Sequence, residues 1–170
     1  MHYLKLTRLE TPVGLLTLVA SNDGLRVVHF RHESPPSEAV EGSHPLLSSA
    51  EEQLREYFAG QRTTFELPLD LRGTPFQVQA WQALASIPYG TTVSYGEQAR
   101  RLGRPSAVRA VGAANGRNPV AIVLPCHRVI GASGALTGYG GGLDVKQALL
   151  EHEARIVEAH RAVRPGVPDR

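Results

Sequence analysis

Two helix starts in the second half of the chain restrict the fold more than any other feature of the sequence. Thr-Pro-Phe-Gln at 74–77 and Ser-Tyr-Gly-Glu at 94–97 are both capping boxes, and the first has proline at the first helical position. They predict one helix that closes at 88–90 and a second that stops at Gly103. Ser106 is the expected cap of a third helix, over 107–114. The second and third helices together predict a helix-turn-helix.

The first 70 residues alternate like β-strands instead. Two turns that contain glycine separate three apolar runs over residues 3–30, which predicts a three-stranded antiparallel meander. A loop is expected over 31–44. Apolar residues at helical spacing from Leu46 onward then predict a helix that Gly60 ends. Residues 65–69 are a candidate short strand.

The predicted fold class is therefore α+β, with an N-terminal antiparallel sheet and a helix, followed by a mostly helical C-terminal domain that contains the helix-turn-helix. We place the domains at 1–70 and 74–157, with a flexible tail at 158–170. Of the 170 residues, 42% are hydrophobic and 20% are charged, as in globular chains. No apolar run approaches the ~20 residues that cross a bilayer. With one cysteine and no export signal, these features predict a cytoplasmic protein.

Acidic and basic residues are unevenly distributed along the chain. Residues 1–70 carry six Lys/Arg and ten Asp/Glu, whereas residues 95–128 carry six arginines against one acidic residue, Glu97. A basic segment on a helix-turn-helix predicts a polyanionic partner, although a solvated basic face has the same composition. The six arginines are Arg100, Arg101, Arg104, Arg109, Arg117 and Arg128.

The only cysteine, Cys126, lies in Pro-Cys-His-Arg-Val at 125–129. It cannot form an internal disulfide, so it is either an inert buried residue or a reactive one. The apolar run over 120–124 predicts a strand that Pro125 ends, and the thiol would then lie at a strand-to-loop corner where a substrate can approach. His127, beside it, is a candidate base. This segment alone leaves both alternatives open.

The last helix, predicted over 143–157, carries a carboxylate on its buried stripe. Apolar residues from Val145 to Ile156 define that stripe, and Glu153 lies on it. A buried carboxylate is costly unless it is paired, and an imidazole is the obvious partner. Before this helix, the glycines over 131–142 allow either close approach of a planar ligand or a flexible turn.

Residues 74–157 resemble the methylated-DNA–protein-cysteine methyltransferases, the family that repairs O6-alkylguanine. Pro-Cys-His-Arg-Val looks like the active-site signature of that family. The acidic first half is similar to the family's N-terminal domain in layout only. Further segments in the family's order and spacing are Ser94-Tyr95, Arg109 to Gly112, Asn118-Pro119, Tyr139 to Leu143, and His152-Glu153.

The resemblance implies that the chain transfers the alkyl group of O6-alkylguanine in duplex DNA, with O4-alkylthymine as a second substrate, to its own Cys126. Each molecule would act once, because the thioether is stable, and the base would first be flipped out of the stack. By resemblance, Glu153 orients His127, which draws the proton from Cys126. Tyr95 would protonate the leaving guanine, and Asn118 would tie the DNA-reading helix to the cysteine segment.

The resemblance also implies how DNA and the base are held. Arg109 would fill the place of the flipped base, with its helix in the minor groove. Some relatives have proline in place of Ala121 and serine in place of Gly140, so we expect tolerance of alkyl groups bulkier than methyl. The implied DNA contacts are Tyr95, Arg104, Ser106, Ala107, Arg109 and Ser133, and the implied base pocket is Pro119, Ala121, Val129, Tyr139 and Gly140.

The implied partner is double-stranded DNA bearing O6-alkylguanine. The resemblance describes a protein that is monomeric in solution and leaves co-operative assembly on DNA open. No cofactor is implied and no membrane association is expected. No metal is expected either, because His29, His32 and His44 lack closely spaced partner ligands.

Three other functions account for part of the pattern. A non-catalytic DNA-binding protein that senses alkyl lesions would share the helix-turn-helix, but it would lack the reactive cysteine. A cysteine hydrolase would use Cys126 and His127, although such enzymes usually have nucleophile and base far apart in sequence. A sequence-specific regulator would prefer one undamaged operator. Cys126 argues against the first of these, and the helix-turn-helix argues against the second.

Overall fold

The computed structural model describes residues 3–162, and its first half is a four-stranded sheet. The strand order is β3-β2-β1-β4, and β1, β2 and β3 are antiparallel neighbours, as the alternation predicted. Gly14 makes the tight β1–β2 turn with a φ of 106°, a conformation that glycine adopts without strain. The strands are β1 (Leu4–Thr11), β2 (Gly14–Ala20), β3 (Leu25–Phe30) and β4 (Ala39–Glu41).

Strand β4 corrects the prediction of a loop over 31–44. It pairs in parallel with β1, but it has three residues, two of them exposed, so it is too short to show a hydrophobic alternation. The strand expected over 65–69 does not form. Leu69 makes only an isolated bridge with Leu25, whose N–H donates to Pro68 O.

Helix α1 (Pro45–Phe58) packs against β1 and β2. Its N-terminus is capped by His44, whose Nδ1 accepts a hydrogen bond from Leu46 N. Gly60, with a φ of 77°, follows the end of the helix as predicted. The buried stripe includes Leu54 and Tyr57, and the Tyr57 hydroxyl makes a hydrogen bond to the second half of the chain.

The second half contains four helices and a small parallel strand pair. Both reciprocal bonds of the capping box at 74–77 are present, whereas the box at 94–97 makes only the Ser94 half, with Glu97 N as donor. The first of these helices ends at Leu84, earlier than the predicted closure. The elements are α2 (Pro75–Leu84), β5 (Val93–Ser94), α3 (Tyr95–Arg101), α4 (Val108–Gly116), β6 (Val129–Ile130) and α5 (Leu143–Ala162).

Helices α3 and α4 pack together as the predicted helix-turn-helix. A buried pair of reciprocal amide hydrogen bonds joins them, with 2.7 Å from Asn115 Nδ2 to Gln98 Oε1 and 3.1 Å from Gln98 Nε2 to Asn115 Oδ1. The expected Ser106 cap is wrong. Ala107 occupies the N-cap position without a side-chain bond, and Ser106 lies in the exposed turn before it.

Residues 120–124 form a tight turn and not the predicted strand. Strand β3 holds the entry to this turn, because Val28 N donates to Pro119 O and Ala121 N donates to Val28 O. Ile122 has a φ of 73°, which is strained for a β-branched residue. The surrounding contacts therefore override a sequence that favours extended backbone.

Helix α5 continues to Ala162, beyond the predicted end at 157, and the rest of the expected tail lies outside the described residues. One hydrophobic cluster joins the two halves, with Leu16, Leu54, Trp81 and Leu149 among its members. Among residues 3–162, no helix has the length and hydrophobicity needed to cross a membrane.

Candidate active site and DNA-facing surface

Cys126 begins a 3-10 turn over Cys126–Arg128 and is almost completely buried. Asn118, just after α4, donates from Nδ2 to Cys126 Sγ over 3.2 Å and to Leu124 O over 2.8 Å. Its Oδ1 accepts from Val120 N over 3.1 Å. One side-chain amide therefore ties the end of α4 to both sides of the tight turn and to the sulfur.

Burial raises the pKa of the Cys126 thiol to about 11, although the Asn118 hydrogen bond and the Lys146 ammonium lower it in part. The thiol is therefore protonated near neutral pH. The thiolate is the nucleophilic form, so this sulfur needs a base during any reaction.

His127 and Glu153 form a buried pair, with 2.7 Å between His127 Nε2 and Glu153 Oε2. Burial alone would raise the pKa of Glu153, but hydrogen bonds from His127 and Arg128 outweigh it and hold that pKa well below its usual range. The ionised carboxylate can only accept, so Nε2 carries a proton. Burial lowers the pKa of His127, which leaves Nδ1 a bare acceptor. Within residues 3–162, Nδ1 has no hydrogen-bond partner.

Lys146 is a buried cation that the sequence reasoning missed. Its Nζ donates to Val129 O over 2.6 Å and to Thr137 O over 2.9 Å, and it lies 5.7 Å from the centroid of the Tyr95 ring. Burial lowers the pKa of this ammonium. The completely buried residues of α5 are Lys146, Leu149 and Glu153, so the helical spacing that identified Glu153 would also have identified Lys146.

A cavity of about 500 Å³ lies between α4 and the glycine-rich loop. Tyr95 forms one wall, and its hydroxyl donates to Thr137 O over 3.1 Å. A Cβ at Gly112 would stand 3.9 Å from the Tyr95 ring, so the absence of a side chain on this face of α4 widens the cavity. The lining residues are Tyr95, Val108, Gly112, Gly116, Thr137, Gly138, Tyr139 and Gly140.

Of the five predicted pocket residues, Tyr139 and Gly140 line this cavity. Ala121 and Val129 are buried outside that lining, and the carbonyl of Pro119 accepts from β3. The expectation that alkyl groups bulkier than methyl are tolerated therefore depends on Gly140 more than on Ala121.

The N-terminal half supports the outer side of the pocket loop. Phe30 packs edge-on against Tyr139, with 5.6 Å between ring centroids. A Cβ at Gly141 would stand 2.8 Å from the Phe30 ring, so only glycine permits this approach. The His32 ring contacts Gly140 O. The pocket wall is thus built from both halves of the chain.

The exposed start of α4 carries Arg109, which makes no ion pair with any residue in 3–162. Arg104 is also exposed, with its guanidinium 5.6 Å above the Phe76 ring. Ala107 is half-buried at the N-cap, and Ser133 is exposed in the turn over 131–134. Arg104, Arg109 and Ser133 are therefore accessible to an external partner, whereas Ala107 is only partly accessible.

Not every arginine of the basic segment contributes to that surface. Arg100 and Arg101 pair with Glu97, at 2.6 Å and 3.2 Å. Arg128 is buried against Glu153 and belongs to the thiol site. The charge count over 95–128 therefore overestimated the exposed basic surface.

The histidines of the first half have separate surroundings. His44 caps α1, His32 contacts the pocket loop, and His29 lies on β3. In the described part of the chain, no three His, Cys, Asp or Glu side chains are grouped as metal ligands would be.

Comparisons with known proteins agree over nearly the whole chain. The family model "6-O-methylguanine DNA methyltransferase, ribonuclease-like domain" matches residues 4–71, and "6-O-methylguanine DNA methyltransferase, DNA binding domain" matches residues 75–155. A methylated-DNA–protein-cysteine methyltransferase of Mycolicibacterium paratuberculosis is 55% identical over 150 residues, covering 86% of this chain and 90% of the relative. The constitutive enzyme of Bacillus subtilis is 47% identical over 154 residues, covering 86% and 93%.

A solved structure is similar as well. The crystal structure of Mycobacterium tuberculosis OGT in complex with DNA superimposes with a TM-score of 0.84 at 48% identity. The match covers 91% of this chain and 94% of that one.

Proposed function

The chain belongs to the methylated-DNA–protein-cysteine methyltransferase family, and from that premise we propose that Cys126 accepts the alkyl group of O6-alkylguanine in duplex DNA. Membership makes this a DNA repair protein that acts by alkyl transfer to cysteine. Cys126 is the only cysteine in the sequence, so the acceptor has one candidate. Sulfur forms a bond to the alkyl carbon, the bond from that carbon to guanine O6 breaks, and the thiol proton passes to His127.

The observation that carries the proposal is the state of His127. Its Nε2 is committed to Glu153, and its Nδ1 is a bare acceptor one residue from the thiol in sequence. A base of this kind can take the proton as sulfur attacks, directly or through one bridging water. Glu153 then stabilises the imidazolium, as the orienting carboxylate does in a hydrolase triad.

The leaving guanine needs a proton, and Tyr95 is the proposed donor. Its hydroxyl lies in the cavity wall, where it already donates to Thr137 O. As the bond from O6 to the alkyl carbon breaks, negative charge develops on the flipped guanine, and its ring nitrogen becomes a stronger acceptor than the Thr137 carbonyl. We assign the flipped base to the space between Tyr95 and the Tyr139–Gly140 loop.

Arg109 is proposed to enter the stack where the base has left it. It is exposed on α4 beside Val108, which itself lines the cavity, so one helix end meets both the duplex and the base. Contacts from Arg104, Ser106, Ala107 and Ser133 to the DNA backbone would fix the register without reading sequence. Asn118 would then link the position of α4 to the sulfur.

Two further assignments belong to this proposal. Gly140 leaves space in the cavity wall for alkyl groups larger than methyl.

A cytoplasmic location suits an acceptor thiol that must stay reduced until it reacts.

The test is transfer of one methyl group from duplex DNA that contains O6-methylguanine, measured as the mass of the intact protein. We expect one methyl per molecule, and none in Cys126→Ser, which should still bind the duplex. Binding without any gain in mass would instead identify a lesion-sensing protein. Repeated turnover of an ester or peptide would identify a hydrolase.

A further inference from the structure

The carboxylate of Glu153 accepts five hydrogen bonds inside the protein. Oε1 accepts from Gly90 N over 3.0 Å and from Arg128 Nε over 2.9 Å. Oε2 accepts from His127 Nε2 over 2.7 Å and from Arg128 Nη2 over 3.1 Å. The fifth donor is the hydroxyl of Tyr57, 2.7 Å from Oε2. It is the only one of the five that comes from the N-terminal half.

Tyr57 is fixed to α5 at two points. Its hydroxyl donates to Glu153, and its backbone carbonyl accepts from His152 Nε2 over 2.9 Å. The ring is completely buried and packs against Phe65 and Tyr89, with centroids 5.7 Å and 6.1 Å away. Burial raises the pKa of this phenol well above its usual range, so the hydroxyl keeps its proton near neutral pH and donates it to Glu153.

We infer that Tyr57 is a positioning residue for the alkyl transfer, because its hydroxyl shares Oε2 of Glu153 with His127 and limits how strongly the carboxylate holds the imidazole. The inference rests on the proposed function, in which His127 takes the proton of Cys126. It adds a residue of the N-terminal half to the transfer step.

The physical reason is competition for one oxygen. A donor at Oε2 withdraws electron density that would otherwise stabilise a proton on the imidazole. Removing that donor leaves the oxygen with His127 and Arg128, so it is still satisfied, but it favours imidazolium more strongly. A base that is already protonated cannot accept the thiol proton. Charged and titratable groups surround the pair on every element packed against it. They are Tyr57 from α1, Tyr89 from the segment after α2, Cys126 and Arg128 from the 3-10 turn, Tyr139 from the glycine-rich loop, and Lys146 and His152 from α5.

The experiment compares Tyr57→Phe with Tyr89→Phe. Both substitutions remove one buried hydroxyl from the same aromatic cluster, but the Tyr89 hydroxyl has no hydrogen-bond partner within residues 3–162. The single-turnover rate of methyl transfer is measured against pH. In Tyr57→Phe we expect the acid limb, where protonation of His127 stops transfer, to move to higher pH by about half a unit or more. In Tyr89→Phe we expect no movement.

An acid limb that stays in place in folded Tyr57→Phe would overturn the inference, as would an equal movement in Tyr89→Phe. A 3,5-difluorotyrosine at position 57 keeps the ring and is a stronger donor, so it should move the limb to lower pH. That variant decides the question if Tyr57→Phe does not fold. The ¹⁵N shifts of the His127 ring, titrated without DNA, should move in the same directions. They separate failure of this inference from failure of the proposed function, which would appear as no methyl gain in the unaltered protein.

Discussion

Asn118 donates a side-chain hydrogen bond to Sγ of Cys126, and the same nitrogen donates to Leu124 O. Since Asn118 lies two residues beyond the end of α4, one amide joins the helix that carries Arg109 to the sulfur that is the proposed alkyl acceptor. An N–H aimed at sulfur stabilises thiolate more than thiol, so the link favours the charge that develops on Sγ during proton loss.

Asn118→Ala should slow methyl transfer by about 10- to 100-fold, the equivalent of one hydrogen bond to a charged group. The measurement is the single-turnover rate with saturating duplex. Titration of the thiol with a disulfide reagent should show its pKa raised further in this variant. An unchanged rate in a folded protein would remove Asn118 from the transfer step.

The pH dependence of transfer should show a plateau. The pKa of His127 is lowered by burial, so its acid limb lies below its ordinary value of about 6.5. Burial raises the pKa of Cys126 to about 11, so free thiolate would increase tenfold per pH unit up to that value. If His127 takes the proton during attack, as proposed, the rate should be flat between about pH 7 and pH 9. A tenfold rise per unit would show that free thiolate reacts without a base.

Arg109→Ala should reduce repair of O6-methylguanine in duplex DNA at least tenfold, because the flipped state would lose the side chain that is proposed to replace the base. Reaction with free O6-benzylguanine needs no flipping and should be unchanged. Arg100→Ala is the matched control. It removes the same charge from an exposed arginine of the helix-turn-helix that is paired with Glu97. Equal losses in both variants would indicate general charge attraction instead.

The amide pair between Gln98 and Asn115 should contribute to the free energy of unfolding. Gln98→Leu strands the buried Asn115 amide, and we expect a loss of roughly 1–3 kcal/mol. Asn115→Leu should cost a similar amount. The double variant should lose less than the sum, because no unpaired amide remains. Urea unfolding of the four proteins gives the coupling energy, and strict additivity would contradict the pairing.

Gly140→Ser should discriminate among alkyl groups. A Cβ at Gly140 would stand 3.8 Å from a Glu33 carboxylate oxygen, an ordinary contact, so the variant should fold. Since Gly140 lines the cavity, we expect a larger residue there to narrow it, and transfer of benzyl should fall more than transfer of methyl. A fall of the same size for both groups would indicate a general loss of binding.

The parts of the site that sequence predicted depend on local rules. Thr74 and Ser94 begin helices because their side chains accept the free N–H groups of the first turn, which needs no distant partner. Glu153 was identified because three to four residues along a helix return to the same face. An imidazole partner for Glu153 was predicted because a buried carboxylate is costly unless it is paired.

The parts that sequence did not predict depend on contacts between distant segments. Val120 to Leu124 is an apolar run typical of a strand, and the hydrogen bonds of Val28 and Asn118 bend it into a turn. Lys146 is buried because two carbonyls accept its protons. Neither the carbonyls nor the bend can be seen in a hydrophobic pattern.

Strand β3 reaches the second half twice, with Val28 bonded to the turn before Cys126 and Phe30 pressed against the loop beyond it. A fragment that starts at Thr74 would keep both DNA-reading helices and every residue of the cysteine signature. It would nevertheless lose the contacts of Val28 and Phe30, which support the segments before and after Cys126. Anyone transplanting this chemistry onto another scaffold would have to carry the edge of an early strand along with it.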